Sequence, residues 1–276
     1  MYKQLQQRGT ERPPVNVSTL ARMKNKGEKI SCLTCYDASF AILVDEAGVD
    51  LVLVGDSLGM VIQGYDTTVP VTVDDIIYHS RAVARTLVRP LLVADMPFMS
   101  YSTPEQALTN AVRMMQEGGA QMVKLEGGAG QVEVVRYLAS HDIPLCAHLG
   151  LKPQSVHKIG GFKVQGRENE AAEAMRRDAK MLQDAGADIV LLECIPSELG
   201  AQIAKDLHVP VIGIGAGPDV DGQILVLYDI LDITPGRKPR FVKNFMIEGG
   251  SPLGAMEAFC AEVKAGTYPA PEHCFS

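Results

Sequence analysis

Short apolar runs rich in branched side chains recur at 30–36, 50–54, 90–94, 121–125, 143–148, 188–192, 209–214 and, with a weaker pattern, 224–228, and each predicts a β-strand. Between them, apolar positions return every three or four residues at 39–47, 73–88, 104–116, 131–139, 169–185 and 197–206, the spacing of helices with one face on a core. Thr72 and Thr103 stand where an N-cap oxygen belongs, the first ahead of an acidic turn. Ala47-Gly48, Gly118-Gly119 and Ala185-Gly186 sit just before strands, where a left-handed residue closes a helix at least steric cost. Strands alternating with helices predict a parallel sheet, because parallel neighbours need crossover connections. Further helices are expected at 20–27 and 243–265, before the first strand and after the last.

Eight such units in 276 residues match the roughly 250 residues that a closed (β/α)8 TIM barrel spends as a single domain. An open doubly wound sheet uses the same units, but length, count and the polar strand endings described next favour closure. No linker, low-complexity tract or repeat divides the chain. Residues 14–276 therefore read as one catalytic barrel with an N-terminal and a C-terminal helix, and 1–13 as a peripheral extension. The glycine run 213–218 follows the seventh strand and has Pro218 where a dinucleotide fingerprint needs glycine, so a Rossmann reading fails. The run can hold a phosphate or let the backbone approach a ligand closely.

Composition narrows the classes. With 46% hydrophobic and 21% charged residues the chain has material for a large core, which excludes disordered and collagen-like classes. A formal charge of −7 is the wrong sign for a protein that neutralises nucleic-acid phosphates or an anionic membrane surface, so small molecules are the expected partners. No apolar stretch reaches 18 residues and the first residues are polar, which points to the cytoplasm. The six cysteines then read as reduced thiols. Cys32 and Cys35 form a C-x-x-C inside an expected strand, where positions i and i+3 point to opposite faces, against a shared zinc or redox pair.

Barrel chemistry sits at the carboxyl ends of the strands. There the sequence places Asp37, Asp56 with Ser57, Asp95, Lys124 with Glu126, His148 and Glu193. A turn or cap role accounts for any one of them alone; their joint occurrence points to a site. Neighbouring strands lie about 4.8 Å apart, so carboxylates ending the second, third and fourth strands crowd one rim and repel, and the remedy is protonation or a cation. Asp56, Asp95 and Glu126 offer hard oxygen ligands suited to Mg2+ or another divalent ion. Lys124 shares a face with Glu126 and can meet a substrate's negative charge, form a structural ion pair, or act as a Schiff-base lysine in a metal-independent aldolase. Glu193 ends a nearly continuous apolar strand, where partial desolvation raises a carboxylate toward the range of a general base. His148 can orient substrate or shuttle protons, or be a hydrogen-bonded core histidine. The stretch 153–167, with paired glycines and several cations, is a candidate lid over an anionic ligand, or an exposed loop.

The segments TCYDASFA (34–41), VGDSLGMVIQGYDTTVPVTVDDIIYHSRAVAR (54–85), LLVADMPFMSY (91–101), VKLEGG (123–128), AHLGLKPQSVHKIGGFKVQGR (147–167), LLECIP (191–196) and IGIGAGPDVDGQILVLYDILDI (212–233), with YPAPEH (268–273) near the end, resemble the ketopantoate hydroxymethyltransferase family across nearly the whole chain. The resemblance implies a barrel of the phosphoenolpyruvate/pyruvate type. It also implies transfer of a hydroxymethyl group from 5,10-methylenetetrahydrofolate to 3-methyl-2-oxobutanoate, giving 2-dehydropantoate on the way to pantothenate. By that similarity Asp56, Asp95 and Glu126 hold magnesium, Asp56, Ser57, Asp95 and Lys124 contact the keto acid, Glu193 accepts the proton, and the protein assembles as a homodecamer. His148 falls on a site-lining position outside this core assignment. Other readings are a metal-dependent carbon–carbon lyase or mutase on the same barrel, the Schiff-base aldolase, and a non-catalytic keto acid or metal-binding scaffold.

Overall fold

The computed structural model describes residues 13–236 and 238–276, so the expected N-terminal extension lies, but for Pro13, outside the described residues. Asn16 accepts the Thr19 N–H and opens α1 (Val17–Lys26), which precedes the sheet. The strands are β1 (Ile30–Thr34), β2 (Leu51–Val54), β3 (Leu91–Asp95), β4 (Met122–Glu126), β5 (Leu145–Gly150), β6 (Ile189–Glu193), β7 (Val211–Ile214) and β8 (Gly222–Leu225). All pair in parallel in sequence order, and β8 returns to β1 to close the barrel, as expected. The surrounding helices are α2 (Ala38–Glu46), α3 (Val73–Ala84), α4 (Pro104–Gln116), α5 (Val132–Ala139), α6 (Asn169–Ala185), α7 (Ser197–Asp206) and α8 (Pro252–Ala265). Asp37, one of the candidate strand-end residues, caps α2 by accepting the Ser39 and Phe40 N–H groups. Thr72 forms a capping box with Asp75, and Thr103 caps α4. No helix among the described residues is long and apolar enough to cross a membrane.

Strand alternation builds the interior. Leu51, Leu53, Val93, Lys124, Cys146, Ile189, Leu191, Ile212 and Ile224 surround a small void on the barrel axis. Two residues further along the same faces stand Asp95, Glu126, His148 and Glu193, so the inward side chains change from apolar to ionisable at the carboxyl end of the barrel. The intervening residues, among them Val52, Leu92, Val123, Leu125, Ala147, Val190 and Leu192, are buried on the opposite faces beneath the helices. At the other end the Asp50 carboxylate accepts from Ser31 N–H and Oγ and pairs with Arg89 and with Lys264 of α8, tying β1, β2 and the last helix together.

Several bounds shift by two or three residues, and three differences have an evident local cause. The last strand lies at Gly222–Leu225 rather than 224–228: after Val226 the chain turns helical, and the Leu227 N–H donates to Thr34 Oγ1 at 3.0 Å. The helix expected over 73–88 ends at Ala84, and the Val88 and Arg89 N–H groups donate to the Asp45 carboxylate instead. The helix expected over 243–265 is broken: one turn, Met246–Gly249, stops at left-handed Gly250, and α8 restarts under a Ser251 cap with Pro252 at its first position. Proline cannot continue a helix from the preceding turn, and an adjacent glycine supplies the αL stop. Cys32 and Cys35 are free and buried, and burial pushes both thiols up, Cys35 to about 12.

Gly150 shows how tightly β5 meets β6. It is paired in register with Glu193, its φ is +91°, and a Cβ there would stand 2.2 Å from the Glu193 carbonyl oxygen. Gly150→Ala is expected to destabilise the fold by about 1–3 kcal/mol from backbone strain alone. A melting curve checks this, the midpoint falling roughly 2–4 °C for each kcal/mol.

Candidate active site

Sheet register brings the ionisable strand-end residues together. Asp95 is paired with Lys124 across β3 and β4, Glu126 with His148 across β4 and β5, and Gly150 with Glu193 across β5 and β6. Lys124 Nζ donates to both oxygens of Asp95, at 2.8 and 2.7 Å, and lies 3.9 Å from Glu126 Oε1. His148 bridges the far side, with Nδ1 3.4 Å from Glu126 Oε1 and Nε2 3.3 Å from Glu193 Oε2. These are ion-pair distances off the hydrogen-bond axis, since neither ring nitrogen has a hydrogen-bond partner. Asp56 joins from the turn after β2: its N–H donates to Asp95 Oδ2 at 3.2 Å. One chain of contacts thus runs Asp56, Asp95, Lys124, Glu126, His148, Glu193 around the mouth. Ser57 follows Asp56 in the chain, and its Oγ lies 2.8 Å from the Tyr36 hydroxyl rather than on any member of this row.

The group is nearly dry, which makes its electrostatics strong. Asp56, Asp95, Lys124, Glu126 and His148 are each at most 5% exposed, whereas the Glu193 side chain keeps 16% of its surface open at the mouth. Burial, then the charges of Asp95 and Glu126, push the Asp56 carboxyl well up. Burial also raises Asp95, with Lys124 opposing. Burial disfavours the charged form of Lys124 too, but Asp95, Glu126 and Asp56 outweigh it and hold the ammonium above its ordinary range. Glu126 is lowered, because His148 and Lys124 overcome the burial that opposes its ionisation. Burial and Lys124 work against protonation of His148, yet Glu126 and Glu193 prevail and raise it to about 9. A lysine held charged and bonded to a carboxylate is a poor amine nucleophile, which speaks against the Schiff-base reading.

Four carboxylates, Asp56, Asp95, Glu126 and Glu193, therefore face two cationic groups, Lys124 and His148. With all four ionised, the deficit equals the charge of a divalent ion, and Glu126 Oε1 is buried without a hydrogen-bond partner. Among the described residues no three His, Cys, Asp or Glu side chains are already gathered around one point. Lys124 stands between Asp95 and Glu126, and His148 between Glu126 and Glu193. The hard oxygen donors and the charge fit a magnesium-like ion.

Other side chains at the site carried no chemical signal in the sequence. Gln154, just after β5, donates from Nε2 to Asp56 Oδ2 and to the Met96 carbonyl, each at 2.9 Å, and accepts from the Tyr101 hydroxyl at 2.6 Å. Its presence beside a glycine-rich, cationic stretch was visible; its partners, far away in the chain, were not. Cys194 follows Glu193 with φ of +48°, and this left-handed backbone is clasped on both sides. Its N–H donates to the Ile214 carbonyl, and its carbonyl accepts the Gln165 N–H, both at 2.9 Å. The stretch 153–167 is accordingly anchored near both ends, with Phe162, Lys158 and Lys163 exposed between. The glycines after β7 serve the chain's own packing: a Cβ at Gly215 would strike Phe241 and Phe275, and one at Gly217 would strike Ser197.

Comparison with known proteins identifies the family. Residues 14–271 match the ketopantoate hydroxymethyltransferase family. A 3-methyl-2-oxobutanoate hydroxymethyltransferase from Alkalilimnicola ehrlichii is 60% identical over 264 residues, covering 96% of this chain and 95% of the relative. One from Halorhodospira halophila is 58% identical, covering 95% and 94%. Among solved structures, phosphonopyruvate hydrolase superposes with a TM-score of 0.59 at 15% identity over 77% of this chain and 80% of its own. The 2,3-dimethylmalate lyase, a member of the PEP mutase/isocitrate lyase superfamily, gives 0.56 at 18% identity over 76% and 78%. At such identities the likeness is one of fold, the closed (β/α)8 barrel.

His148 yields a test of the electrostatics. In the metal-free protein its imidazole should remain protonated at neutral pH and titrate near 9, readable from its 15N chemical shifts. A histidine raised above its unfolded value of about 6.5 adds stability that is complete below that value and lost as pH climbs through the folded one. Metal-free protein should therefore lose stability between about pH 6.5 and 9, and His148→Gln should flatten that slope in denaturant titrations.

Proposed function

Because the chain belongs to the ketopantoate hydroxymethyltransferase family and is an enzyme of that kind, we propose that it transfers a hydroxymethyl group from 5,10-methylenetetrahydrofolate to 3-methyl-2-oxobutanoate, forming 2-dehydropantoate through an enolate. The observation that supports the reading most is the unbroken row of contacts from Asp56 to Glu193, with a carboxylate cluster at one end and a more open carboxylate at the other.

The proton on C3 of the keto acid is the difficulty. Glu193 takes it: alone among the four carboxylates it is appreciably open to the mouth, and His148 steadies its far oxygen. A positioned base contributes about 10²–10⁴-fold, or roughly 3–5 kcal/mol, against the 8–23 kcal/mol that enzymes commonly remove, so charge stabilisation has to supply much of the rest. Asp56, Asp95 and Glu126 would hold a divalent ion, which when bound supplies Lewis acidity toward the substrate's carboxylate and keto oxygens and stabilises negative charge developing there. Lys124 adds a fixed positive charge beside those oxygens, and Ser57, held by Tyr36, contacts the keto acid. The barrel walls and the 153–167 stretch shield the carbanion from protonation while C3 attacks the one-carbon unit; the C–N bonds that held that carbon break, and one water supplies the hydroxyl oxygen and the proton returned to nitrogen, giving 2-dehydropantoate and tetrahydrofolate. Magnesium as the resident ion, a cytoplasmic setting and assembly as a homodecamer belong to the same proposal.

Product formation from 3-methyl-2-oxobutanoate, methylenetetrahydrofolate and Mg2+ tests the reaction directly. Glu193→Gln should slow exchange of the C3 proton into deuterium oxide by about 10²–10⁴-fold while keto acid binding persists; exchange at the parent rate would put the base elsewhere. Chelator treatment should suppress both exchange and turnover, with Mg2+ restoring them. Persistence of both in demonstrably metal-free protein would remove the Lewis acid from the scheme.

A further inference from the structure

Gln154 is 5% exposed, and its amide and backbone N–H are engaged with groups of the site. Both amide hydrogens are used, one on Asp56 Oδ2 and one on the Met96 carbonyl, each at 2.9 Å. The amide oxygen accepts from Tyr101 at 2.6 Å, and the same hydroxyl receives the Glu126 N–H at 3.3 Å. The Gln154 backbone N–H donates to Glu126 Oε2 at 3.2 Å, which leaves Oε1 as the oxygen without a hydrogen bond. The amide has one tolerable orientation, because a flip would set its oxygen against a carboxylate and a carbonyl and its NH2 group against the Tyr101 donor.

A neutral donor suits this position. Asp56 already suffers repulsion from Asp95 and Glu126, and an amide N–H satisfies one of its oxygens without adding charge of either sign. A lysine there would neutralise the carboxylate and compete with an incoming cation, and a glutamate would add to the repulsion.

We infer that Gln154 is the positioning residue of the cation site, orienting Asp56 through its side chain and Glu126 through its backbone N–H, with Tyr101 locking the amide. Two carboxylates from different strand ends are thereby set in place by one residue of the segment that crosses the mouth. Hydrogen bonds of this outer kind commonly govern metal affinity by 10–100-fold. The inference rests on the reading that Asp56, Asp95 and Glu126 hold a divalent ion, and it assigns Gln154 no contact with substrate.

The test uses Mn2+ as a paramagnetic probe of the full-length metal-free protein. Electron paramagnetic resonance titrations compare the parent with Gln154→Met, which keeps side-chain length but neither donates nor accepts at the amide. Both are measured well below the melting midpoint, because the variant also loses bonds that support the fold. The expected result is a folded variant whose Mn2+ Kd is loosened roughly 10–100-fold. A folded variant binding Mn2+ within twofold of the parent would overturn the inference. Should Gln154→Met fail to fold, Tyr101→Phe preserves volume and removes the lock on the amide together with the hydroxyl's longer, 3.3 Å contacts to the Glu126 backbone. A several-fold looser Kd in that variant supports the assignment, and parent-like affinity sinks it. A parent that binds no Mn2+ at all brings down the cation reading and this inference with it, a result distinct from a variant that matches a binding parent.

Discussion

Negative charge confined to a space without water is the condition around which this barrel mouth is organised. Three carboxylates, those of Asp56, Asp95 and Glu126, are at most 5% exposed, and Coulomb energy in so dry a setting far exceeds what the same groups would feel at a surface. The chain answers with an ammonium bonded to Asp95, an imidazolium between Glu126 and Glu193, and a neutral amide on Asp56. These answers come from β4, β5 and the turn after β5, so the mouth holds its shape only when β3 to β6 are in register. The same concentration of charge makes the site responsive to a small cation and an anionic keto acid.

Much of this was legible in the sequence because barrel strands obey a simple alternation. Once Leu191 is recognised as inward, Glu193 must be inward too, and the same holds for Cys146 and His148 or Val93 and Asp95. The breaks in apolar runs therefore announced the members of the cluster and their placement on one rim. Closure itself was carried by the number of units and by length.

What stayed hidden depends on contacts between residues distant in sequence. Gln154 meets Asp56 across 98 positions, and nothing local distinguishes it from any glutamine in a turn. His148 read equally well as a core residue, and only the pairing of β4 with β5 sets it between two carboxylates. Apolar spacing ran straight through Gly249-Gly250-Ser251, although a left-handed stop and a serine cap there divide one expected helix in two. The glycines after β7 kept the look of a ligand cradle, while the aromatic rings that crowd Gly215 come from the last part of the chain.

The Asp50 clamp carries a consequence for how the molecule is made. Its carboxylate is bonded to Ser31 and Arg89, which emerge early in synthesis, and to Lys264, which lies 214 residues beyond Asp50 itself. A nascent chain on the ribosome has β1 and β2 in hand long before either β8 or the cation of α8 exists to complete them. Barrel closure thus comes late, and until β8 is made the edge of β1 that it covers stays unpaired, a state in which shielding by a chaperone has the most to offer.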